Sequence, residues 1–472
     1  MSQPTAPQHR DLLSLAPILA GLWWLLAGSG FGWFCWSLLP GVLLLASGLS
    51  VLLWAGDGKH THFMALGAVL GVLFTIPAAW CSMGAALVAL ALSIASFLVA
   101  GRIALRAFPE MPGAPPAPME ARIYAKAAVD EALLGYFLVS ARVPGGDEAA
   151  RMCKEAAELE SVLRGQGWLD RPESFHRTPP PPEDVRLSDD RAAGFSYQRL
   201  KFSSGFTPEG KLPGLADWAG YLRNRECRAA MFRQDEPGRP WLLCIHGYRM
   251  GFPLADFRLF DPRILHRRYG LNLLLPVLPL HGPRRAGWQS GDYYLEGDIS
   301  GLLHAQTQAL WDLRRSIAWI RAQDPQARIG VLGYSLGGYN ASLLAAYEPG
   351  LDFVVAGIPV ADFAPLLWRH LPGPHQRYYI AQGLTLERYG ELLRVISPLA
   401  RAPQLPAERL HIFAGTADCV VPPDQPLRLS RHWNRPAEWY PGGHLTFRGE
   451  RSVERCIAGA MTGAGWRIDS VA

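Results

Sequence analysis

The sequence predicts an all-α transmembrane bundle followed by an α/β domain in which helices flank a mostly parallel sheet. Residues 1–106 are dominated by long apolar runs, which are typical of membrane helices. Residues 196–472 instead alternate short apolar runs with helical patterns, which is typical of a parallel sheet covered by helices. Residues 107–195 form a proline-rich linker and a helical connector between the two domains.

Four apolar runs predict that the N-terminal domain crosses the membrane four times. A helix needs about 20 apolar residues to cross the hydrocarbon core. The first and third runs are slightly shorter, but neither contains an Asp, Glu, Lys or Arg residue. A signal peptide would account for one such run but not for four, so the sequence predicts a multi-pass membrane protein. The runs cover residues 12–28, 31–55, 62–80 and 84–101.

Basic residues near the ends of these runs predict the orientation of the chain. Arg10 precedes the first run, Lys59 separates the second from the third, and Arg102 and Arg106 follow the fourth. Positive residues tend to stay on the cytoplasmic side of a membrane. We therefore expect a protein of the cell (inner) membrane with its N-terminus and its C-terminal domain in the cytoplasm. With one span fewer, these two parts would lie on opposite sides.

Two helical patterns, at residues 120–142 and 146–165, follow the proline-rich linker. Val129, Leu133 and Phe137 fall on one face of the first pattern, as expected for a helix that buries one side. We expect the two helices to form a hairpin that packs on the C-terminal domain.

The most informative motif of the C-terminal domain is G-x-S-x-G at residues 333–337. It follows an apolar strand pattern and leads at once into a helical pattern. A serine at such a turn forms a nucleophile elbow, in which glycines occupy positions where a Cβ would clash. The helix N-terminus favours the negative charge that develops at the hydroxyl. Ser335 is therefore the candidate nucleophile, and the alternative is an ordinary serine in a glycine-bracketed loop.

The acid and the base of a catalytic triad are expected further along the chain. Asp418 comes after an apolar strand pattern and precedes Pro422 and Pro423, which prevent a return to a central strand. His444 follows two glycines after a short aromatic strand pattern, so it could swing towards the mouth of the sheet. The other interpretations are a plain turn aspartate and a solvated loop histidine.

Asp362 is the alternative acid, because it also follows a predicted strand. Asp418 is preferred, since the glycine before it and the Val-Pro pair after it make a more specific pattern. The predicted strands cover residues 241–245, 271–275, 328–332, 353–358, 410–414 and 438–440, and a helix is predicted at 302–322.

The first of these strands ends in His246 and Gly247, which predicts the position of an oxyanion hole. The N–H of Tyr248, in the loop after the strand, and the N–H of Leu336, directly after the nucleophile, would bind the tetrahedral oxygen. His246 could be mistaken for the base, but its position before a glycine fits a role in shaping the loop.

From about residue 241 to the C-terminus, the chain resembles the α/β-hydrolase superfamily. The shared features are the motif at 333–337, the His-Gly turn, the Gly-x-x-Asp-x-x-Val-Pro pattern at 415–422 and the Gly-Gly-His sequence at 442–444. Residues 277–285 also resemble a group of predicted bacterial hydrolases of the esterase and lipase type. The resemblance implies the α/β-hydrolase fold and a serine triad, but it implies no substrate.

Two features could contribute to substrate binding. Arg284 and Arg285 follow the second predicted strand, so they could hold a carboxylate or phosphate group, or they could simply be solvated. Residues 363–397 are rich in apolar and aromatic side chains. They could form a cap with an acyl pocket, or ordinary core.

Together these features predict a membrane-anchored serine hydrolase that cleaves a carboxylic ester through an acyl-enzyme. Attachment to a bilayer favours a lipid or another lipophilic acyl substrate, because such molecules partition there. The alternatives are a thioesterase or an amidase with the same triad, and a non-catalytic scaffold for a membrane partner.

Composition argues against other classes of protein. The net charge of +5 is spread along the chain without an aromatic-interleaved basic motif, so no nucleic-acid partner is expected. The 7 cysteines are scattered without a C-x-x-C pair, unlike a disulfide framework or a zinc site. We therefore expect neither a metal ion nor a cofactor.

Overall fold

The computed structural model describes residues 12–54, 60–108 and 111–468. The chain divides into two compact units. Arg10 and Lys59, on which the predicted orientation partly depends, lie outside the described residues. The first unit comprises Met1–Ala141, Gly415–Asp424 and Trp439–Glu450, and the second comprises Arg142–Ala414, Gln425–Glu438 and Arg451–Ala472.

Helices occupy the apolar runs of the first unit and its part of the connector. They are α1 (Leu15–Leu26), α2 (Gly30–Leu53), α3 (His60–Ala79), α4 (Met83–Arg106) and α5 (Ala121–Ser140). Among the described residues, the three helices α2, α3 and α4 are long and apolar enough to cross a membrane. α1 has 12 residues. At ~1.5 Å per residue it extends about 18 Å, less than the roughly 30 Å of the hydrocarbon core. The four-span bundle stays a prediction.

α5 packs closely on two of these helices through glycines. A Cβ placed on Gly101 of α4 would lie 1.9 Å from the carbonyl oxygen of Tyr124 in α5. A Cβ on Gly135 of α5 would lie 2.6 Å from the carbonyl oxygen of His62 in α3. Only a residue without a side chain allows backbones to come this near, so α5 is an integral part of the first unit.

The connector hairpin stays a prediction. The next helix, α6 (Gly146–Gly165), belongs to the second unit and packs there against other helices, whereas α5 packs against α3 and α4. The division between the two units falls between Ala141 and Arg142.

Within the described residues, nine strands form one sheet in the order β1-β2-β3-β5-β4-β6-β7-β8-β9. The first three strands pair antiparallel, and β5, β4, β6, β7 and β8 pair parallel to one another. The strands are β1 (Arg186–Ala192), β2 (Phe195–Ser203), β3 (Glu226–Phe232), β4 (Trp241–Ile245), β5 (Asn272–Pro276), β6 (Ile329–Tyr334), β7 (Phe353–Gly357), β8 (Leu410–Gly415) and β9 (Glu438–Tyr440).

Helices cover this sheet, so the predicted α/β class is confirmed. Three of them, α11, α12 and α13, fall in the segment at 363–397 for which a cap was predicted, and the cap itself stays a prediction. The helices that follow α6 are α7 (Leu215–Gly220), α8 (Pro253–Leu259), α9 (Ile299–Gln323), α10 (Leu336–Tyr347), α11 (Phe363–His370), α12 (Gly373–Ala381), α13 (Leu386–Leu392), α14 (Asp424–Trp433) and α15 (Arg451–Gly463).

The central parallel strands β4, β6 and β7 are buried along their whole length, as their uninterrupted apolar sequences require. Their register is continuous: Cys244 pairs with Leu332, and Leu332 with Val355. Because parallel strands point the same way, the loops after their carboxyl ends leave from one edge of the sheet. Active sites of open α/β sheets are built at this edge.

Candidate active site

Ser335 stands at the turn between β6 and α10 in a strained backbone conformation. Its φ is 58° and its ψ is −116°, which residues other than glycine rarely adopt. A Cβ at Gly333 would lie 2.1 Å from the carbonyl oxygen of Gly337, and a Cβ at Gly337 would lie 1.9 Å from that of Ile245. Ser335 is partly exposed, although all residues of β6 before it and of α10 after it are buried. The chain therefore has the geometry of a nucleophile elbow.

Asp418 and His444 lie together in the first unit. The Nδ1 of His444 is 2.7 Å from the Oδ2 of Asp418, and both residues are buried. The other carboxylate oxygen of Asp418 accepts the backbone N–H groups of Val420 at 3.0 Å and Val421 at 2.7 Å. This arrangement favours the tautomer in which Nδ1 carries the proton and donates a hydrogen bond to Asp418. The Nε2 of His444 is then left as an acceptor, as a general base requires.

The surroundings of His444 act on its pKa in opposite directions. Burial lowers the pKa of the imidazole, whereas the charge of Asp418, its hydrogen bond and the charge of Asp130 raise it. The net effect is a raised pKa. The pair therefore holds a positive charge on the imidazole more readily than burial alone would allow, which is what transfer of a proton from a hydroxyl requires.

Asp362, the alternative acid, has a different role in the second unit. Its side chain accepts the backbone N–H of Ala364 at 3.1 Å and thereby caps α11. Its Oδ2 also lies 3.5 Å from a guanidinium nitrogen of Arg428. The imidazole of His444 is bonded to Asp418 instead, so the geometry favours Asp418 as the acid.

The loop after β4 passes beside Ser335, where the oxyanion hole is expected. A Cβ placed on Gly247 would lie 3.6 Å from the Cβ of Ser335. Leu336 is the first residue of α10, so its N–H is at the N-terminus of that helix. The roles of the Tyr248 and Leu336 N–H groups stay predictions.

His246 shapes this loop, as the sequence indicated. Its Nε2 accepts the N–H of Leu278 at 3.1 Å, so its Nδ1 carries the proton and donates to the carbonyl of Gly247 at 2.8 Å. Burial lowers the pKa of His246, the Gly247 carbonyl raises it and the charge of Arg284 lowers it, so that the net pKa is about 4. The neutral ring thus ties the end of β4 to the chain after β5.

Arg284 does not reach a substrate site, which corrects the expectation for it. Its side chain is fully buried and forms a 2.7 Å ion pair with Asp312 of α9. The same guanidinium donates to the carbonyl oxygens of Val277 at 2.8 Å and Asn224 at 3.0 Å. These partners give Arg284 a structural role in joining three segments of the second unit. Arg285 is exposed, and substrate contact by this residue stays a prediction.

Sequence reasoning missed Asp130, a fully buried residue of α5. Its carboxylate accepts the backbone N–H of His444 at 2.6 Å and that of Cys419 at 3.1 Å. Burial and the charge of Asp418 raise the pKa of Asp130 to about 8, against lowering effects of His444 and of these hydrogen bonds. The signal in the sequence was an acidic pair, Asp130 and Glu131, in the middle of a largely apolar helical pattern.

The chain is similar to two proteins of Mycobacterium tuberculosis. It is 39% identical over 317 residues to "Uncharacterized protein Rv2627c" of strain H37Rv, an alignment that covers 67% of this chain and 76% of the relative. The same identity and coverage hold for "Uncharacterized protein MT2702" of strain CDC 1551. No family model matches the chain.

Solved structures with a similar fold include esterases and a peptidase. Acetyl xylan esterase 1 of Thermoanaerobacterium sp. is 18% identical with a TM-score of 0.41, over 63% of this chain and 93% of that chain. Acetyl xylan esterase of Paenibacillus sp. R4 is 16% identical with a TM-score of 0.44, over 62% and 93%. Acylaminoacyl peptidase of Pyrococcus horikoshii is 14% identical with a TM-score of 0.36, over 62% and 43%. Likeness at this level says nothing about the substrate of this chain.

Proposed function

The chain belongs to the same family as Rv2627c of Mycobacterium tuberculosis and has the α/β-hydrolase fold, and on that premise we propose that it is a serine hydrolase that cleaves a carboxylic ester. The observation that carries the proposal is the elbow at Ser335. A non-glycine residue at φ 58° and ψ −116° is strained, and such strain persists where the surrounding structure enforces it. In this chain it presents a hydroxyl at the end of a central strand.

The proposed triad joins Ser335 to the bonded pair of Asp418 and His444. Ser335 follows β6 and Asp418 follows β8, and β7 pairs with both of these strands in parallel. Loops after the carboxyl ends of parallel strands leave from the same edge of a sheet. The order Ser, Asp, His along the chain is also that of α/β-hydrolases.

The proposed reaction is acyl transfer from an ester to water. His444 accepts the proton of Ser335 as the Ser335 oxygen attacks the ester carbonyl carbon, and the N–H groups of Tyr248 and Leu336 bind the resulting oxyanion. Collapse of this intermediate breaks the bond to the alcohol, which leaves with the proton from His444. Water then attacks the acyl-enzyme in the same way and releases the acid, which regenerates Ser335.

The proposal places this reaction at a membrane. The three apolar helices α2, α3 and α4 would anchor the enzyme, and Arg102 and Arg106 at the end of α4 favour a cytoplasmic location for the chain after α4. A bilayer concentrates lipophilic molecules around an anchored enzyme. We therefore propose a lipid or another lipophilic acyl ester as substrate.

Substitution of Ser335 tests the assignment of the nucleophile. In the full-length protein, we expect Ser335→Ala to abolish labelling by a fluorophosphonate probe, because that probe forms a covalent bond with the activated serine oxygen. Turnover of a nitrophenyl ester should fall by on the order of 10⁴- to 10⁶-fold, as for loss of a triad nucleophile.

Ser342→Ala is the matched control for this experiment. Ser342 lies on the same helix, and its hydroxyl donates to the carbonyl of Gly338 at 2.8 Å. Its substitution should leave labelling and turnover unchanged. Labelling of the Ser335 variant at wild-type intensity would show that the nucleophile is another residue. A wild-type protein that neither reacts with the probe nor hydrolyses esters would favour a non-catalytic scaffold.

A further inference from the structure

Asp130 connects two loops that are far apart in sequence. We call Gly415–Asp424, which contains Asp418, the acid loop, and Trp439–Glu450, which contains His444, the base loop. The Oδ2 of Asp130 accepts one N–H from each loop, that of Cys419 at 3.1 Å and that of His444 at 2.6 Å. Its Oδ1 accepts a third, from Leu445 at 3.4 Å. One side chain of α5 therefore ties both loops together.

These hydrogen bonds are energetically significant because the groups are buried. Asp130 has no exposed surface, and Cys419 and His444 are also buried. A buried N–H that loses its acceptor destabilises the protein, since water cannot replace the lost partner. The loops would have to move to recover that free energy, so their positions depend on the Asp130 carboxylate.

The fit between α5 and the base loop is close. A Cβ placed on Gly443 would lie 2.5 Å from the Oδ2 of Asp130 and 2.9 Å from the carbonyl oxygen of Lys126. One helical turn before Asp130, the Nζ of Lys126 donates to the carbonyl of Pro441 at 2.9 Å and pairs with Glu450 at 2.6 Å. Gly443 thus allows the base loop to approach the face of α5 that carries Asp130 and Lys126, and both of these side chains bond to the loop.

The neighbouring acid of α5 has different partners. The Oε2 of Glu131 lies 2.6 Å from the Nδ1 of His62 and accepts the hydroxyl of Thr61 at 2.5 Å, both in α3. Asp130 therefore binds the backbone of the two loops, whereas Glu131 binds side chains of α3 and the thiol of Cys419. This difference provides an internal control, because among the described residues, of these two carboxylates, only that of Asp130 accepts backbone N–H groups of the two loops, whereas Glu131 meets the acid loop at the thiol of Cys419.

Building on the proposed function, we propose that Asp130 is a positioning residue, which aligns the imidazole of His444 with Asp418 by tying the base loop to the acid loop. It donates nothing to the substrate and acts through the backbone of His444. Groups that hold catalytic side chains matter because a displacement of about 1 Å can reduce a rate by about 100-fold.

The test compares Asp130→Asn and Asp130→Ala with Glu131→Gln in the full-length protein. Activity is measured as kcat and KM for a soluble ester, with kcat expressed per site titrated by a fluorophosphonate so that unfolded protein does not count. We expect kcat per site to fall by about 10- to 100-fold in the Asp130 variants, more in Ala than in Asn, with KM unchanged. Glu131→Gln should keep wild-type values.

Gly443→Ala tests the same contact from the side of the loop, and it applies even if the Asp130 variants fail to fold. The added methyl group would displace the base loop from α5, so kcat per site should fall with KM unchanged. The decrease should be smaller in an Asp130→Ala background, where two of the three clashing atoms, the Oδ2 and Cγ of Asp130, are absent and the carbonyl oxygen of Lys126 remains. Independent, additive effects of the two changes would contradict the proposal.

The outcomes separate this inference from the proposed function. Wild-type kcat per site in both Asp130 variants would overturn the positioning role while leaving the serine hydrolase intact. An equal loss in Glu131→Gln would also overturn it, because the effect would then belong to α5 in general. If Ser335→Ala keeps full labelling and turnover, the proposed function itself is wrong.

Discussion

The imidazole of His444 can accept a proton only in its neutral form, so the charges around it decide the pH at which the reaction begins. Asp418 is bonded directly to the ring, and Asp130 is bonded to the backbone of the same residue. Both raise the pKa of His444 against the lowering effect of burial, and the net shift is upward. The other titratable groups close to these carboxyls include Cys419, Tyr440 and Glu131.

We expect kcat/KM to decrease at low pH with an apparent pKa above ~6.5, the ordinary value for histidine. A raised pKa keeps His444 protonated to higher pH, so the acid limb of the profile moves upward. The profile should be measured with an uncharged ester in the full-length protein, since kcat/KM reports groups of the free enzyme. An acid limb clearly below this value would contradict the environment described for His444.

The roles of some residues could be predicted because a local sequence motif defines them. Other roles depend on contacts between residues far apart in the sequence and could not be predicted. The elbow at Ser335 depends on glycines two residues away on each side, so the motif itself contains the geometric requirement. The contact between Asp130 and Cys419 instead joins residues separated by 289 positions. Nothing near Asp130 in the sequence indicates which backbone groups it meets, because that depends on how α5 packs.

Among the elements, the second unit is held together by a buried ion pair between the chain after β5 and α9. Arg284 and Asp312 are both buried, and the guanidinium also binds two backbone carbonyls. Removing one partner of such a pair leaves an unpaired charge away from water. The free-energy cost of that unpaired charge is greater than the stabilisation that the intact pair provides.

We expect Arg284→Met to lower the free energy of unfolding of the full-length protein by about 3–5 kcal/mol, because Asp312 would be left unpaired. Urea-induced unfolding in detergent measures this quantity. Arg285→Met is the matched control. Because Arg285 is exposed, its substitution should change the free energy of unfolding by no more than about 0.5 kcal/mol. An Arg284 variant of wild-type stability with an increased KM would restore the substrate role that the sequence suggested.

The elements themselves were more predictable than the contacts between them. The strand at 241–245 has its predicted bounds, and β8 extends only one residue beyond the prediction, because uninterrupted apolar runs define buried strands. Helical periodicity shows that a helix buries one side but not which neighbour covers it, so the expected connector hairpin stays a prediction. Arg284 was misinterpreted for the same reason, because its partner Asp312 lies 28 residues away.

For the whole molecule, composition alone separated an apolar helical part from a part with the α/β-hydrolase fold. Helices α1 to α4 fall on the predicted apolar runs, and three of them have the length and hydropathy of membrane spans among the described residues. The number of spans was harder to predict, because the first run contains a helix of only 12 residues. The substrate could not be predicted, since hydrolases of esters, thioesters and amides can all use the proposed triad.

We expect the full-length protein, reconstituted in liposomes, to hydrolyse nitrophenyl esters of long acyl chains with a higher kcat/KM than nitrophenyl acetate. An apolar acyl pocket gains about 0.8 kcal/mol for each methylene group that it buries, so kcat/KM should rise several-fold for each one until the pocket is full. Ser335→Ala liposomes provide the blank for spontaneous hydrolysis. A decline in kcat/KM from acetate onwards would contradict the lipid part of the proposed function.

The hydrogen bonds from Asp130 to the acid and base loops also restrict which segments of this protein can be exchanged by recombination. A recombination event that transferred only the segment after Ala141 would carry Asp418 and His444 without the carboxylate that accepts their loops' N–H groups. Such a shortened descendant would need a substitute acceptor from elsewhere in the polypeptide. The N-terminal region and the enzyme are therefore expected to be inherited together rather than exchanged as separate modules.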